Sequence, residues 1–253
     1  MTGSSAADYR LISAFEKLFL GGIYRHRSST QGDRLALELY EDLYIRAQQR
    51  SAASKFVIGV DDATRVVNPR NLNYGTTARR ADGTLGEILH GALAVSEPGF
   101  IVQRGTTVIT EIGIEVKILT KAMIKQIDRV CGDLTKQVTH FGEKGGSKSP
   151  ISVAIVGVNH STAFLGYEGS RTTLADGTRQ PDGTIHASPA VEAARAKADL
   201  NTKARPHYFQ FLLLEFEATN MPPYPFKWVN GTKTLADYNA LLSKLAYEYE
   251  ARF

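Results

Sequence analysis

Apolar residues recur along the chain at two spacings, and these predict helices and strands. Leucines four residues apart predict a helix over residues 33–49, and a 3.6-residue stripe beginning at Met123 predicts another over residues 120–141. Further helices are expected over residues 6–20, 84–94, 189–201 and 234–252. Short apolar runs predict strands over residues 56–60, 100–102, 106–119, 151–158 and 207–218. This order predicts an α/β fold with a mixed central β-sheet flanked by helices.

The 253 residues, 43% of them hydrophobic, suit a single domain spanning residues 1–253. Within it we expect a helical N-terminal extension over residues 1–80, in which residues 61–80 carry no regular element. Residues 84–160 form the central unit. Residues 161–253 add a Gly-rich excursion at 166–189, a further strand and a closing helix.

The net charge and the cysteine content exclude only a few classes of function. The net charge of +4 permits a polyanionic partner without requiring one. No apolar run reaches the roughly 18 residues of a membrane helix, and residues 1–7 lack the features of a signal peptide. We therefore expect a cytoplasmic protein with no membrane contact. The single cysteine, Cys131, excludes an internal disulfide and a multi-cysteine zinc site, and its place on an apolar helix face predicts a core position.

Two candidate functional residues, Glu115 and Lys117, lie in the otherwise apolar segment 112–119. Alternate residues of a strand share a face, so both charged side chains point the same way, about 6–7 Å apart along the chain. They form either an ion pair or a functional site. Because buried pairs often add no net stability over apolar residues, the functional interpretation is favoured.

Hydrolysis of a phosphodiester by a carboxylate-bound Mg²⁺ requires a second acid near Glu115. Glu111 shares the strand face but lies about 13 Å away in an extended chain. Glu97 lies 18 residues upstream (115 − 97 = 18), and a hairpin through Gly105 would return its strand beside Glu115, so Glu97 is the preferred metal ligand. Glu87 is a possible third ligand on the predicted helix over residues 84–94.

The elements predicted over residues 84–160 are a helix, a hairpin, a Glu-x-Lys strand, an amphipathic helix and a buried strand. This order resembles the core of the PD-(D/E)xK nuclease superfamily, the restriction-endonuclease-like fold. The resemblance implies that Glu115 binds the metal and that Lys117 assists the attacking water. The upstream acid of the family, usually an Asp after a Pro, falls on Glu97, which instead precedes Pro98. Some members carry a glutamine on the following helix, which here matches Gln126, with Gln137 as the alternative.

The resemblance therefore implies a Mg²⁺-dependent endonuclease acting on DNA, with Mn²⁺ as a possible substitute, in a restriction or phage-defence setting. Lys121 and Lys125 either contact phosphate oxygens or form a solvated helix face. Cleavage of both strands favours a homodimer. The alternatives are a catalytically inactive nucleic-acid-binding module of the same fold, and a structural protein in which Glu115 and Lys117 are simply paired.

Overall fold

A computed structural model describes residues 9–25, 29–68 and 81–253. Within these residues, eight strands follow one another: β1 Arg65–Asn68, β2 Gly83–Glu87, β3 Ile112–Leu119, β4 Ile151–Asn159, β5 Phe164–Glu168, β6 Arg171–Ala175, β7 Gln210–Ala218 and β8 Phe226–Trp228. Six of them form a mixed sheet in the order β1-β2-β3-β4-β7-β8, and β5 and β6 form a separate hairpin. The inner strands β3, β4 and β7 are parallel, while β1, β2 and β8 pair antiparallel with their neighbours.

In the described part of the chain, six α-helices cover the sheet: α1 Arg10–Lys17, α2 Ser29–Arg50, α3 Lys55–Asp61, α4 Met123–Gly142, α5 Pro189–Asp199 and α6 Gly231–Arg252. The larger core joins α1, α2, α3 and α6 to one face of the sheet, and a second core joins α4 and α5 to the other face. All nine residues of β4 are buried, as expected for a strand that has helices on both sides. The predicted α/β class is therefore confirmed.

The longest periodic patterns were predicted best. The stripe from Met123 became α4, the apolar run over residues 151–158 became β4, and the helices predicted at 33–49, 189–201 and 234–252 correspond to α2, α5 and α6. Cys131 is buried in the core beneath α4, as its helix position indicated. The excursion at 166–189 contains the end of β5 and all of β6.

Two short elements were assigned the wrong type. Residues 84–94 do not form a helix, because β2 occupies Gly83–Glu87 and Gly86 lies against the main chain of Ile109, where a Cβ would come within 1.9 Å of the carbonyl oxygen. Residues 56–60 lie in helix α3 and not in a strand, since Ser54 and the carboxylate of Glu250 cap its first turn. Brief apolar runs do not separate helix from strand by period alone.

The hairpin expected between residues 100 and 119 is absent from the described structure. Residues 100–102 form no strand, and the predicted strand at 106–119 is regular only over Ile112–Leu119. β1 was not predicted, and it brings part of the expected helical extension into the sheet. Residues 69–80, the rest of the region without a predicted element, lie outside the described residues. Among the described helices, none has the length and apolar content needed to cross a bilayer.

Candidate active site

Glu115 and Lys117 lie on β3, the strand at which the antiparallel half of the sheet meets the parallel half. Ile112, Ile114 and Val116 point into the larger core, as the alternation predicted. Glu115 and Lys117 point to the opposite face, which α4 covers. Gly113 lies beneath Phe141 of α4 on this face, where a Cβ would come within 2.5 Å of the ring. The two charged groups are therefore held between a central strand and a helix.

The ammonium group of Lys117 donates a hydrogen bond to the carboxylate of Glu115. The Glu115 side chain is 7% exposed and that of Lys117 is 28% exposed. Burial alone would lower the pKa of Lys117, but Glu115, with help from Asp82 and Asp133, outweighs it and raises this pKa above its ordinary value. The two residues of this ion pair belong to the same strand.

Asp82, immediately before β2, is the second carboxylate at this position. Its Oδ2 accepts a hydrogen bond of 2.7 Å from the main-chain N–H of Val116, the residue between Glu115 and Lys117. β2 and β3 pair with Gly83 opposite Ile114, so the next position of the register sets Asp82 opposite Glu115. Residues opposite each other in antiparallel strands have Cβ atoms about 4.5–5.5 Å apart. Asp82 thus brings a second carboxylate to the peptide between Glu115 and Lys117, where its charge acts on Lys117.

The first turn of α2 closes over Asp82. A Cβ built on Gly32 would lie 2.3 Å from Asp82 Oδ1, so with a larger residue here the carboxylate or the helix would have to shift. One turn further, Ala36 packs over Gly83. The N-terminal end of a helix carries a partial positive charge, which favours a carboxylate beside it. Gly32 therefore helps to fix where Asp82 lies.

Gln137 of α4 covers the same face of β3. It is 1% exposed, and neither atom of its amide has a hydrogen-bond partner among the described residues. Gln137 lies one helical turn before Phe141, the residue that packs on Gly113. Because α4 runs antiparallel to β3, one turn back along the helix corresponds to about two residues forward along the strand. Gln137 is therefore level with Glu115. Of the two glutamines considered from the sequence, Gln137 is the one on the site face.

Gln126 has a different environment. Its amide Nε2 donates to the carbonyl oxygens of Lys121 and Ala122, at 3.1 and 3.3 Å. These bonds hold the turn into α4, where Ala122 adopts a left-handed conformation with φ 49°. The described contacts of Gln126 thus belong to the start of the helix and do not reach Glu115.

Glu97 does not accompany Glu115 in the described structure. Its carboxylate pairs with Arg104 and lies 3.7 Å from Arg34, on the loop that follows β2. The strand that runs antiparallel to β3 is β2 and not a segment that begins after Glu97. The geometric reason for choosing Glu97 as the metal ligand was therefore wrong, and the acid that meets Glu115 is Asp82.

Glu87 and Glu111 also lie away from the pair. Glu87 is exposed at the opposite end of β2 from Asp82, five residues or about 17 Å along an extended strand. Its proposed role as a third ligand has no geometric support. Glu111 is buried and accepts hydrogen bonds from Arg65 Nε and from the Tyr249 hydroxyl, at 2.8 and 2.6 Å, which satisfy it within the core.

Lys121 and Lys125 line an open groove of about 600 Å³ that begins where β3 ends, next to Lys117. The other wall of the groove is the β5–β6 hairpin. Lys121 forms an ion pair of 3.0 Å with Glu168 of β5, while Lys125 is exposed. The groove therefore joins the two lysines chosen from the sequence to a hairpin that the sequence did not place near them.

The carboxylates of Asp82 and Glu115 fit a hard divalent cation. No group of three or more His, Cys, Asp or Glu side chains suited to a metal ion occurs within residues 9–25, 29–68 and 81–253. Mg²⁺, however, keeps several waters and is usually bound through only one or two carboxylates, so a pair is a sufficient protein ligand set. Asp82 and Glu115 are the two residues that would hold it.

Asp82 was missed because its surroundings were read as a loop followed by a helix. A signal was present, since Asp82 precedes the short segment Gly83–Glu87, which itself lies upstream of the Glu-x-Lys strand. Reading that segment as a strand would have paired it antiparallel with β3 and brought Asp82 to Glu115. Comparisons with protein-family models, with curated proteins and with solved structures found no match to this chain.

Proposed function

We propose that the protein is a Mg²⁺-dependent nuclease that hydrolyses phosphodiester bonds of DNA, with Asp82, Glu115 and Lys117 at its active site. The observation that carries the proposal is the hydrogen bond from the Val116 N–H to Asp82, which sets a second carboxylate beside the Glu-x-Lys pair. The described sheet supports it further, since β2, β3, α4 and β4 frame that pair.

Each residue has a chemical role in this proposal. Asp82 and Glu115 supply the oxygen ligands, and a metal bound there would lower the pKa of a water and neutralise charge on the scissile phosphate. Lys117, as an ammonium, donates hydrogen bonds, so it can orient the attacking water and offset the negative charge that develops on the phosphate. Gln137 adds to the same face a buried amide that has no hydrogen-bond partner among the described residues.

A plasmid assay tests the proposal. Supercoiled DNA is incubated with the wild-type protein in Mg²⁺, Mn²⁺ or EDTA, and with Glu115→Gln and Lys117→Ala prepared identically. We expect cleavage with either metal, none in EDTA, and a loss of at least about 10²-fold in each variant, since each removes a charge that acts on the transition state. Wild-type rates from a folded Glu115→Gln protein would contradict it. DNA binding without hydrolysis would instead favour the inactive binding module.

The biological setting is part of the same proposal. A cytoplasmic chain that cuts both strands of a duplex needs two such centres, and a homodimer supplies them with the symmetry of a palindromic site. Restriction or phage defence is the setting in which such an enzyme acts. Sedimentation with and without duplex DNA tests the dimer, and a monomer under both conditions would remove it from the proposal.

A further inference from the structure

The groove between α4 and the β5–β6 hairpin carries a cluster of cations from separate parts of the chain. Arg129 of α4, Arg171 of β6 and His186 beyond the hairpin join Lys121 and Lys125 along its walls. Glu168 is the one acidic side chain among the described lining residues, and it pairs with Lys121. Lys125, Arg129 and Arg171 have no carboxylate within ion-pair distance in the part of the chain that the structure describes. The described lining therefore carries more cationic than anionic side chains.

The placement of these cations works against the stability of α4. Lys125 lies in the first turn of the helix, where the partial positive charge of the helix end disfavours a cation. Arg129 follows four residues later, so two like charges are neighbours on one helix face. The turn itself contains no acid; the one described carboxylate bonded to it, that of Glu192 from α5, accepts from the Met123 N–H at 2.6 Å and does not pair with Lys125 or Arg129. An anionic ligand gives these positions a reason.

The two walls of the groove are fixed to each other. Gly166 of β5 lies against the side chain of Lys121, where a Cβ would come within 2.3 Å of Cε, and the Lys121–Glu168 ion pair adjoins this contact. The hairpin is also anchored to the chain after β7, since Asn220 Nδ2 donates to the Leu165 carbonyl at 2.7 Å. Arg171 is thus held opposite the α4 cations by the fold itself.

We propose that this groove binds the phosphate backbone of the nucleic acid as it leaves the Asp82, Glu115 and Lys117 centre, with Arg171 on the hairpin and Lys125 and Arg129 on α4 as the contacting cations. The inference rests on the proposed function for its substrate. The groove lies at the end of β3, where its lining begins at Ile118, the residue after Lys117. No Phe, Tyr or Trp side chain lines the described groove, and most of its charged lining side chains are cations, so we expect contacts to phosphates that depend little on base sequence.

Binding is measured in EDTA, so that hydrolysis plays no part. Fluorescence anisotropy follows labelled single-stranded and duplex oligonucleotides of unrelated sequences over a range of salt concentrations. The variants are Arg129→Gln, Arg171→Gln and the double variant Lys125→Gln/Arg129→Gln. Lys244→Gln is the matched control, because it removes one exposed positive charge from α6, on the opposite face of the sheet. Thermal unfolding followed by circular dichroism verifies that each variant is folded.

We expect each single groove variant to weaken binding several-fold at 0.1 M salt. The slope of log affinity against log salt should fall by about 0.9 per lost contact on duplex DNA, or about 0.7 on a single strand, while Lys244→Gln leaves it unchanged. If the variants weaken binding of the duplex more than of the single strand, the groove binds duplex DNA, and the reverse result identifies single-stranded DNA as its ligand. Unchanged affinity and slope in both arginine variants would overturn the inference, as would binding of inorganic phosphate with no binding of either oligonucleotide.

The outcomes separate this inference from the proposed function. If the groove variants weaken binding but the wild-type protein hydrolyses nothing in Mg²⁺ or Mn²⁺, the groove stands and the nuclease proposal fails. If the protein cleaves DNA while the groove variants bind and cleave as the wild type does, the nuclease proposal stands and the groove assignment fails.

Discussion

The side chain of Asp82 accepts a hydrogen bond of 2.7 Å from the main-chain N–H of Val116. β2 begins at Gly83, opposite Ile114, so β3 continues beyond its antiparallel partner and its next N–H meets a side chain instead of a strand. The same bond brings a carboxylate to the peptide between Glu115 and Lys117. Asp82 therefore does two things: it accepts a hydrogen bond from a main-chain N–H of β3 that lies beyond the end of β2, and it brings a carboxylate to the candidate site.

Replacing Asp82 by Asn should separate its chemical role from its structural one. Asn retains an oxygen that can accept from the Val116 N–H but loses the negative charge, so we expect a folded protein whose metal-dependent cleavage falls by at least about 10²-fold. The rate of plasmid nicking in Mg²⁺, with circular dichroism for the fold, measures both effects.

Glu97→Gln is the matched control for Asp82→Asn. The Glu97 side chain is 31% exposed and pairs with Arg104, so its loss should cost no more than about 1 kcal/mol and leave the cleavage rate near that of the wild type. The opposite result, a silent Asp82→Asn and an inactive Glu97→Gln, would return the metal-ligand assignment to Glu97.

Gly32→Ala should damage the site from outside it. The added Cβ would lie 2.3 Å from Asp82 Oδ1, so either the carboxylate or the first turn of α2 must move. We expect weaker Mg²⁺ binding by calorimetry and slower cleavage. Gly132→Ala on α4 is the control, because a Cβ there meets no atom of the described residues within 4 Å and helix propensity predicts a gain of up to about 1 kcal/mol. Equal activity of the two variants would show that the Gly32 contact with Asp82 does not matter.

The sequence predicted those parts of the site that depend on one element and missed those that depend on contacts between elements. The alternation along β3 was sufficient to place Glu115 and Lys117 on one face, because a strand's period is local. Asp82 required the pairing of β2 with β3, and β2 is a five-residue strand with two glycines and no alternating pattern. Glu97, which the expected hairpin through Gly105 would have returned beside Glu115, was therefore chosen in its place.

The dependence on contacts between elements also explains why the sequence did not single out Gln137 and did not place the β5–β6 hairpin beside Lys121 and Lys125. Gln126 and Gln137 lie on one helix, and only the packing of Phe141 on Gly113 shows which of them faces β3. Lys121 and Lys125 were visible as cations after the strand, but Arg171 approaches them through a hairpin more than 40 residues further along the chain (171 − 125 = 46). Such proximity follows from tertiary structure and leaves no periodic signal.

Glu111→Gln should affect stability and leave the chemistry intact. Glu111 is buried and paired with Arg65 and Tyr249, so removing its charge leaves the guanidinium without its partner in the core. Breaking such a pair costs roughly 3 kcal/mol. Urea unfolding should therefore show a lower midpoint, while the folded variant cleaves DNA at close to the wild-type rate. A stable but inactive Glu111→Gln protein would instead place this acid in the active site.

Glu250 should make the stability of the protein depend on pH at the acidic end. Its carboxylate accepts hydrogen bonds from the Ser54 hydroxyl and from the N–H groups of Lys55 and Phe56, at 2.5, 3.0 and 3.3 Å, and so caps α3 from the end of α6. Burial alone would raise the pKa of Glu250, but these bonds, with the charge of Lys55, outweigh it and lower the pKa from its usual 4.5.

A carboxylate whose pKa is lower in the folded state stabilises that state above the unfolded pKa, and this contribution is lost as the pH falls through the folded pKa. We therefore expect Glu250→Gln to cost about 1 kcal/mol at pH 7, as the loss of a helix cap does, and progressively less below about pH 4.5. Urea unfolding of both proteins from pH 7 to pH 3 measures the difference. Glu248→Gln, which breaks only a pair with Arg252 on the surface of α6, should cost less than Glu250→Gln at pH 7. If the difference in unfolding free energy between Glu250→Gln and the wild type stays constant down to pH 3, the charge of Glu250 does not contribute to the capping of α3.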